Sequence, residues 1–210
     1  YISGQPPSGS LSSSKVDSWT RMSQMKTAAS AEGGAQLALR TTALDDSWLL
    51  SAIGCVMARP ELLSRLHTCD AQLGVHAVRL WKDGEGKGSA PVWTTVVIDD
   101  FMPCHGKKKP IYSSNVDPGA GPVAAVQKAL AKLYGCYEIL SSGRIGAALE
   151  DLTGGISDKL YLRDGVLGLD GSSKQPHISI ATELSSGSLW QRLTQISEAG
   201  HMLAAVYKPK

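Results

Sequence analysis

Leu44-Asp45-Asp46-Ser47-Trp48-Leu49-Leu50-Ser51-Ala52-Ile53 decides how the rest of this chain is read. Two acids lead into a run that continues through Val56 and Met57 and is apolar nearly all round. Either Asp45 or Asp46 can cap a helix, and negative charge suits a helix N-terminus. A helix without a polar face is a buried one. The stretch therefore predicts a central helix over 46–57 with other elements packed around it.

Moving outward, Pro60 ends that helix or opens a second one carrying Leu62, Leu63 and Leu66. Val75, Ala77, Arg79 and Trp81 then alternate with His76, Val78 and Leu80, and Trp93 to Ile98 is a β-branched run. With the glycine-rich turn from Gly84 to Gly88 between them, they predict a β-hairpin with a long loop. Asp99-Asp100 and Met102-Pro103 should close its second strand, Lys107-Lys108-Lys109 should be a solvated basic turn, and Ile111-Tyr112 a short third strand. Apolar spacing of three or four through Val123, Val126, Leu130, Leu133 and Tyr137 predicts a helix over 123–140. Gly135 within it implies close packing or a break. Leu149 to Leu152 reads as a helical turn ending at Gly154-Gly155. Beyond it, His177 to Ile180 reads as a strand and Ser188 to Ala199 as a helix capped by Ser188 and stopped at Gly200. Met202 to Tyr207 reads as a final buried strand.

On the N-terminal side, residues 1–37 are rich in Ser, Gly, Pro and Ala and read as a flexible or extended arm, pinned to the body by Trp19. Tyr1 to Pro7 lacks the basic-then-apolar pattern of a signal peptide, so no targeting segment is expected there.

Composition narrows the function classes. The chain has 210 residues, 42% of them hydrophobic, enough for one domain with a sizeable core. A net charge of +2 gives no support to a nucleic-acid binder or a polybasic membrane protein. No apolar run approaches the roughly 20 residues of a membrane span. Four cysteines without a CxxC pair exclude a zinc ribbon and read as reduced thiols of a cytosolic protein. His67, His76, His105 and His177 have no metal-ligand spacing and read as surface or strand histidines. Asp99-Asp100 reads as a hairpin end, not a metal pair.

Three further segments add to the opening one: Val97-Ile98-Asp99-Asp100-Phe101-Met102-Pro103, the run from Lys128 to Gly143, and Leu149-Glu150-Asp151-Leu152-Thr153-Gly154-Gly155. Together they resemble the calpain family of papain-like cysteine peptidases. The family patterns are Gln-Gly-x-Leu-Gly-Asp-Cys-Trp-Leu-Leu, Val-Val-Asp-Asp-x-x-Pro, Lys-Ala-Tyr-Ala-Lys-x-x-Gly-x-Tyr-Glu-x-Leu-x-x-Gly and Glu-Asp-Phe-Thr-Gly-Gly. Their order makes the likeness strong over about residues 38 to 206. It implies an α+β fold: the first lobe of a papain-like protease core over 38–210, a helical bundle around a buried central helix with a small antiparallel sheet. The second lobe, which supplies the family's histidine and asparagine, is absent from the chain.

The resemblance also implies what the site should be. The nucleophile starts the buried helix, where a thiol beside an imidazole becomes a thiolate. A glutamine six residues earlier donates to the oxyanion. This sequence departs at three places. Ser47 stands at the nucleophile position, and a hydroxyl is too weak an acid to be held as an anion by an imidazole. Thr41 stands at the oxyanion position, too short to fill it. Ala38 stands where the family has a calcium-binding aspartate. Its partner Glu150 survives as a remnant that reads better as a structural hydrogen-bonding residue, because Ca²⁺ takes 6–8 oxygens. Trp48 and Asp46 are assigned to the cleft, with a core tryptophan as an equally good reading of Trp48. No metal or other cofactor is expected.

His201 lies near the roughly 130–150-residue separation of papain-like nucleophile and histidine. The stretch from Leu189-Trp190-Gln191 through Met202 to Val206 instead matches without a gap the family segment that ends Arg-Gly-Ser-Leu-Leu-Gly-Cys, where position 201 is a serine. The expectation is therefore a degenerate calpain-like protein: a non-proteolytic scaffold or peptide-binding module, cytoplasmic and tied to the cytoskeleton. Its partners would be a protein or peptide and the second lobe of its own core. The alternatives are a fragment of an active calcium-dependent peptidase inactivated by an engineered Cys→Ser change, and a weak serine-dependent hydrolase. Against the last, no Gly-x-Ser-x-Gly elbow surrounds Ser47.

Overall fold

A computed structural model describes residues 16–25, 39–40, 44–84, 88–106, 108–112, 114–115, 122–160 and 180–206. The chain divides into two compact units, residues 1–157 and 158–210. The first is α+β. Its centre is α1 (Ser47–Met57), where Leu49, Leu50, Ala52, Ile53 and Val56 are all buried, at 0–3% exposure. Around it pack α2 (Pro60–Leu66), α3 (Pro122–Tyr134) and α4 (Ile145–Thr153). The predicted bundle around a buried central helix is therefore present.

The sheet at its side is antiparallel, with β4 (Val75–Asp83) between β3 (His67–Asp70) and β5 (Pro91–Asp99). The β4–β5 register sets His76 opposite Ile98, Val78 opposite Val96 and Leu80 opposite Thr94. His76, Val78, Leu80, Val96 and Ile98 are buried, whereas Val75, Arg79, Thr95 and Val97 are exposed. One face thus packs on the helices and the other meets solvent, as period-two alternation requires. Strand β5 is an edge, and α3 covers part of its rim. Lys132 Nζ donates to the Val97 carbonyl at 2.7 Å, and Lys128 Nζ donates to the carbonyls of Asp99 at 3.3 Å and Phe101 at 2.6 Å.

Several elements differ from expectation. The chain does not end its pairing at Pro103. It changes sheets at Asp100 and forms β6 (Phe101–His105), flanked by β1 (Ser18–Arg21) and β7 (Lys109–Pro110). Part of the N-terminal segment is therefore a strand, with Trp19 opposite Pro103, and the Arg21–Asp100 ion pair at 3.0 Å fixes its end. These four residues hold a strand because β6 satisfies their backbone groups. Ile111 and Tyr112 are not a strand; β7 precedes them and their side chains are buried, Tyr112 stacked on Tyr137. A two-stranded ribbon joins β2 (Leu39–Arg40) to β8 (Ser114–Asn115).

The helix predicted over 123–140 stops at Tyr134. Gly135 has φ 112°, a left-handed conformation that costs glycine little and breaks the helix, and a 3-10 turn follows at Glu138–Ser141. In the second unit, α5 (Ile180–Ser186) and α6 (Ser188–Glu198) form a helical hairpin. Ile180 begins a helix instead of ending a strand, while 177–179 lie outside the described residues. Gly187, not Ser188, occupies the N-cap of α6. Residues 202–206 form no strand, and Leu203 and Val206 are exposed. No helix among the described residues is long and apolar enough to cross a membrane.

Candidate functional site

Ser47 is the first residue of α1 and is exposed. The backbone of Asp46 starts the helix, its carbonyl accepting the Leu49 and Leu50 N–H groups at 2.9 and 3.0 Å. Position 47 thus sits at the positive end of a helix dipole, where a thiol would be pushed toward its thiolate. A serine hydroxyl at the same place stays protonated.

The groups on either side of it are held firmly. Asp46 is at the N-cap, but its side chain makes no capping bond. It is 1% exposed and accepts a short hydrogen bond from Gln127 Nε2 on α3. Burial pushes the Asp46 carboxyl above the usual carboxylate range, and the Gln127 bond pulls part of the way back. The aspartate assigned to the cleft therefore lies beneath the helix start. Trp48 is half-buried, and its Nε1 donates to the Leu140 carbonyl at 3.0 Å. Gly143 lies against the ring so closely that a methyl group there would overlap it. This ties the start of α1 to the segment that follows α3. Gln127 and Leu140 had no signal of their own in the sequence. The glycine needed at Gly143 is a matter of close approach to Trp48.

Thr41 and Ala38 lie outside the described residues. Glu150 on α4 spends its carboxylate within the chain: Oε1 accepts from Ser157 N–H at 2.9 Å and Ser157 Oγ–H at 2.6 Å. Beside it opens a groove of about 320 Å³, lined by Trp81, Lys82, Asp83 and Pro91 on the hairpin and by Glu150, Asp151, Gly155 and Ile156. Lys82 donates to Asp151 at 2.9 Å and, at short range, to the Tyr134 hydroxyl, which itself donates to Asp151 at 2.8 Å. Burial opposes the charge on Lys82, but the two oxygen partners outweigh it and hold its pKa above the ordinary lysine value.

The histidines are not all alone. His67 Nε2 and His76 Nδ1 face each other at 2.8 Å, with the rings stacked 5.1 Å apart. Burial, and then the neighbouring imidazole, lower His67 to about 4. His105 pairs with Asp17 at 3.3 Å. His201 is exposed in the second unit, just past Gly200, whose φ of 85° ends the helix region there. His177 lies outside the described residues. All four cysteines are free thiols.

Comparison with known proteins agrees with this architecture. The family profile described as "Calpain family cysteine protease" matches residues 6–210. The "Calpain-type cysteine protease DEK1" of Arabidopsis thaliana is 32% identical over 163 residues, 77% of this chain and 7% of the relative. The "Calpain-1 catalytic subunit" of Gallus gallus is 34% identical over 172 residues, 79% of this chain and 22% of the relative. "Calpain" of Schistosoma mansoni is 34% identical over 139 residues, 63% of this chain and 17% of the relative. The chain thus spans between 7% and 22% of the length of these relatives. The chain belongs to the calpain family of cysteine proteases, and its fold is that of a calpain protease core lobe.

Proposed function

We propose that this chain does not cleave peptides and acts as a non-proteolytic scaffold or peptide-binding module within a longer calpain-like protein. The observation that carries the reading is Ser47, exposed at the first turn of α1 where the family pattern has its cysteine. A helix dipole can stabilise a thiolate there, but it cannot bring a serine hydroxyl near ionisation at neutral pH. Thr41 and Ala38, read from the sequence, remove the oxyanion donor and one calcium carboxylate as well. Loss of one oxyanion donor alone costs on the order of 10²–10³ in rate. An engineered Cys→Ser change would have left those two positions intact. Fold and cleft can outlast the chemistry, because function resides in a site grafted on the fold.

The same reading takes residues 38–210 as the first lobe, completed by a second lobe elsewhere in the protein. It places the protein in the cytoplasm with a peptide or cytoskeletal partner. A second reading, an active calcium-dependent peptidase inactivated at one position, is favoured by one observation. The Asp46–Gln127 and Trp48–Leu140 bonds around position 47 are intact. The Ser47→Cys variant of the whole protein separates the two. With casein and Ca²⁺, the scaffold reading expects no proteolysis above background. Strong recovered cleavage would overturn it.

A further inference from the structure

The geometry points to a binding site for one zinc-like divalent ion on the β3–β4 ladder, formed by His67, Cys69 and His76. It lies apart from position 47 and does not rest on the proposed function.

In the β3–β4 register Cys69 stands opposite His76, and His67 stands opposite Val78. Residues directly opposite share a face, and so do residues two apart on one strand. His67, Cys69 and His76 therefore project from the same face of the ladder. The imidazoles already converge, with Nε2 and Nδ1 at 2.8 Å. Opposed Cβ atoms lie about 4.5–5.5 Å apart, so a rotation of the Cys69 side chain brings its sulfur to the imidazole pair. As placed, the described side chains make no ready-made group of three; that rotation completes the site. Cys69 is exposed and His76 is buried, which gives the ion an entry side and a fixed floor.

The donor set selects the ion. Two imidazoles and a thiolate are borderline-soft and suit Zn²⁺, whereas Ca²⁺ and Mg²⁺ take oxygens. At Zn–N distances of about 2.0–2.1 Å the two nitrogens must separate by about 0.5 Å, within the reach of side-chain torsions. The proton shared between the rings moves to a far ring nitrogen, so both imidazoles stay neutral. The thiol releases its proton to water, and a water fills the fourth position. Burial holds the His76 pKa below the ordinary imidazole value, with Asp100 and Asp99 opposing this and Lys128 adding to it.

Titration of the whole protein, reduced and stripped of metal, with Co²⁺ alone tests the site. The expected result is a near-ultraviolet thiolate-to-cobalt band with tetrahedral visible bands, all bleached by Zn²⁺. Cys69→Ser, at an exposed position, should keep the unfolding midpoint, lose the thiolate band and weaken Co²⁺ binding. The weakening should be at least the roughly 10–100-fold that loss of a supporting partner costs. His67→Gln should weaken binding alike. Absence of a thiolate band in the unmodified protein, or a band unchanged in Cys69→Ser, would overturn the assignment.

Discussion

At the start of α1 the Asp46 carboxylate is 1% exposed and is held by the uncharged amide of Gln127. At the end of the β4–β5 hairpin the Asp151 carboxylate is 18% exposed and is held by the Lys82 ammonium and the Tyr134 hydroxyl. The first contact is buried and fixes where a helix begins. The second is charged, wetter and bridges three elements across a groove. Charge near solvent is screened and contributes little, whereas a buried polar group deprived of its partner bears the full desolvation cost. The two regions should therefore answer mutation very differently, although both look equally well bonded.

The largest difference should come from Trp48→Ala. It removes a half-buried aromatic, its bond to Leu140 and its contact with Gly143. Urea unfolding should show a loss of about 3 kcal/mol, the low end for a large aromatic. A loss below about 1 kcal/mol would erase the contrast between the regions.

Gln127→Leu comes next, at about 1–3 kcal/mol, because it keeps volume and strands the Asp46 carboxylate. The pH sign is fixed by the raised Asp46 pKa. Above the ordinary aspartate value of 3.8 and up to the folded pKa, the native state binds more protons than the unfolded one, so stability falls as pH rises through that window. Removing the amide raises the folded pKa further. The deficit of Gln127→Leu should thus be full at neutral pH and shrink on acidification toward 3.8. Unfolding midpoints across pH measure it; a deficit that stays constant would assign the loss to packing.

Lys82→Met should be smallest, within about 1 kcal/mol, since its partners remain partly solvated. A thermal midpoint displaced far beyond the few degrees this implies would place the hairpin end on a par with the helix start.

What the sequence disclosed follows the same divide between local and distant causes. The apolar run of α1 and the β-branched run of β5 announce themselves, because one face of each is buried along its length. Ser18–Arg21 does not, since its strand state is conferred by β6, far away in the chain (Ser18 opposite Cys104). Met202 to Val206 misleads for the opposite reason: its composition suits a buried strand, but among the described residues no strand pairs with it. At the site, the buried helix that begins at Ser47 was legible from residue types alone, whereas the meaning of Ser47 itself came only through the family resemblance. The Asp46–Gln127 bond and the His67–His76 pair were not legible, because each joins residues that only the packed fold makes neighbours.

The two lysines on α3 have a consequence beyond stability. Val97 and Asp99 turn their carbonyls away from the hairpin, toward the side where another polypeptide could add itself as a strand. Lys132 and Lys128 have already filled those acceptors and set ammonium groups along the rim, Lys128 anchored also by the Asp99 carboxylate at 2.7 Å. An incoming chain would have to displace both lysines before its own amides could pair. Over this half of β5, the helix that closes the core also guards the molecule against edge-to-edge aggregation.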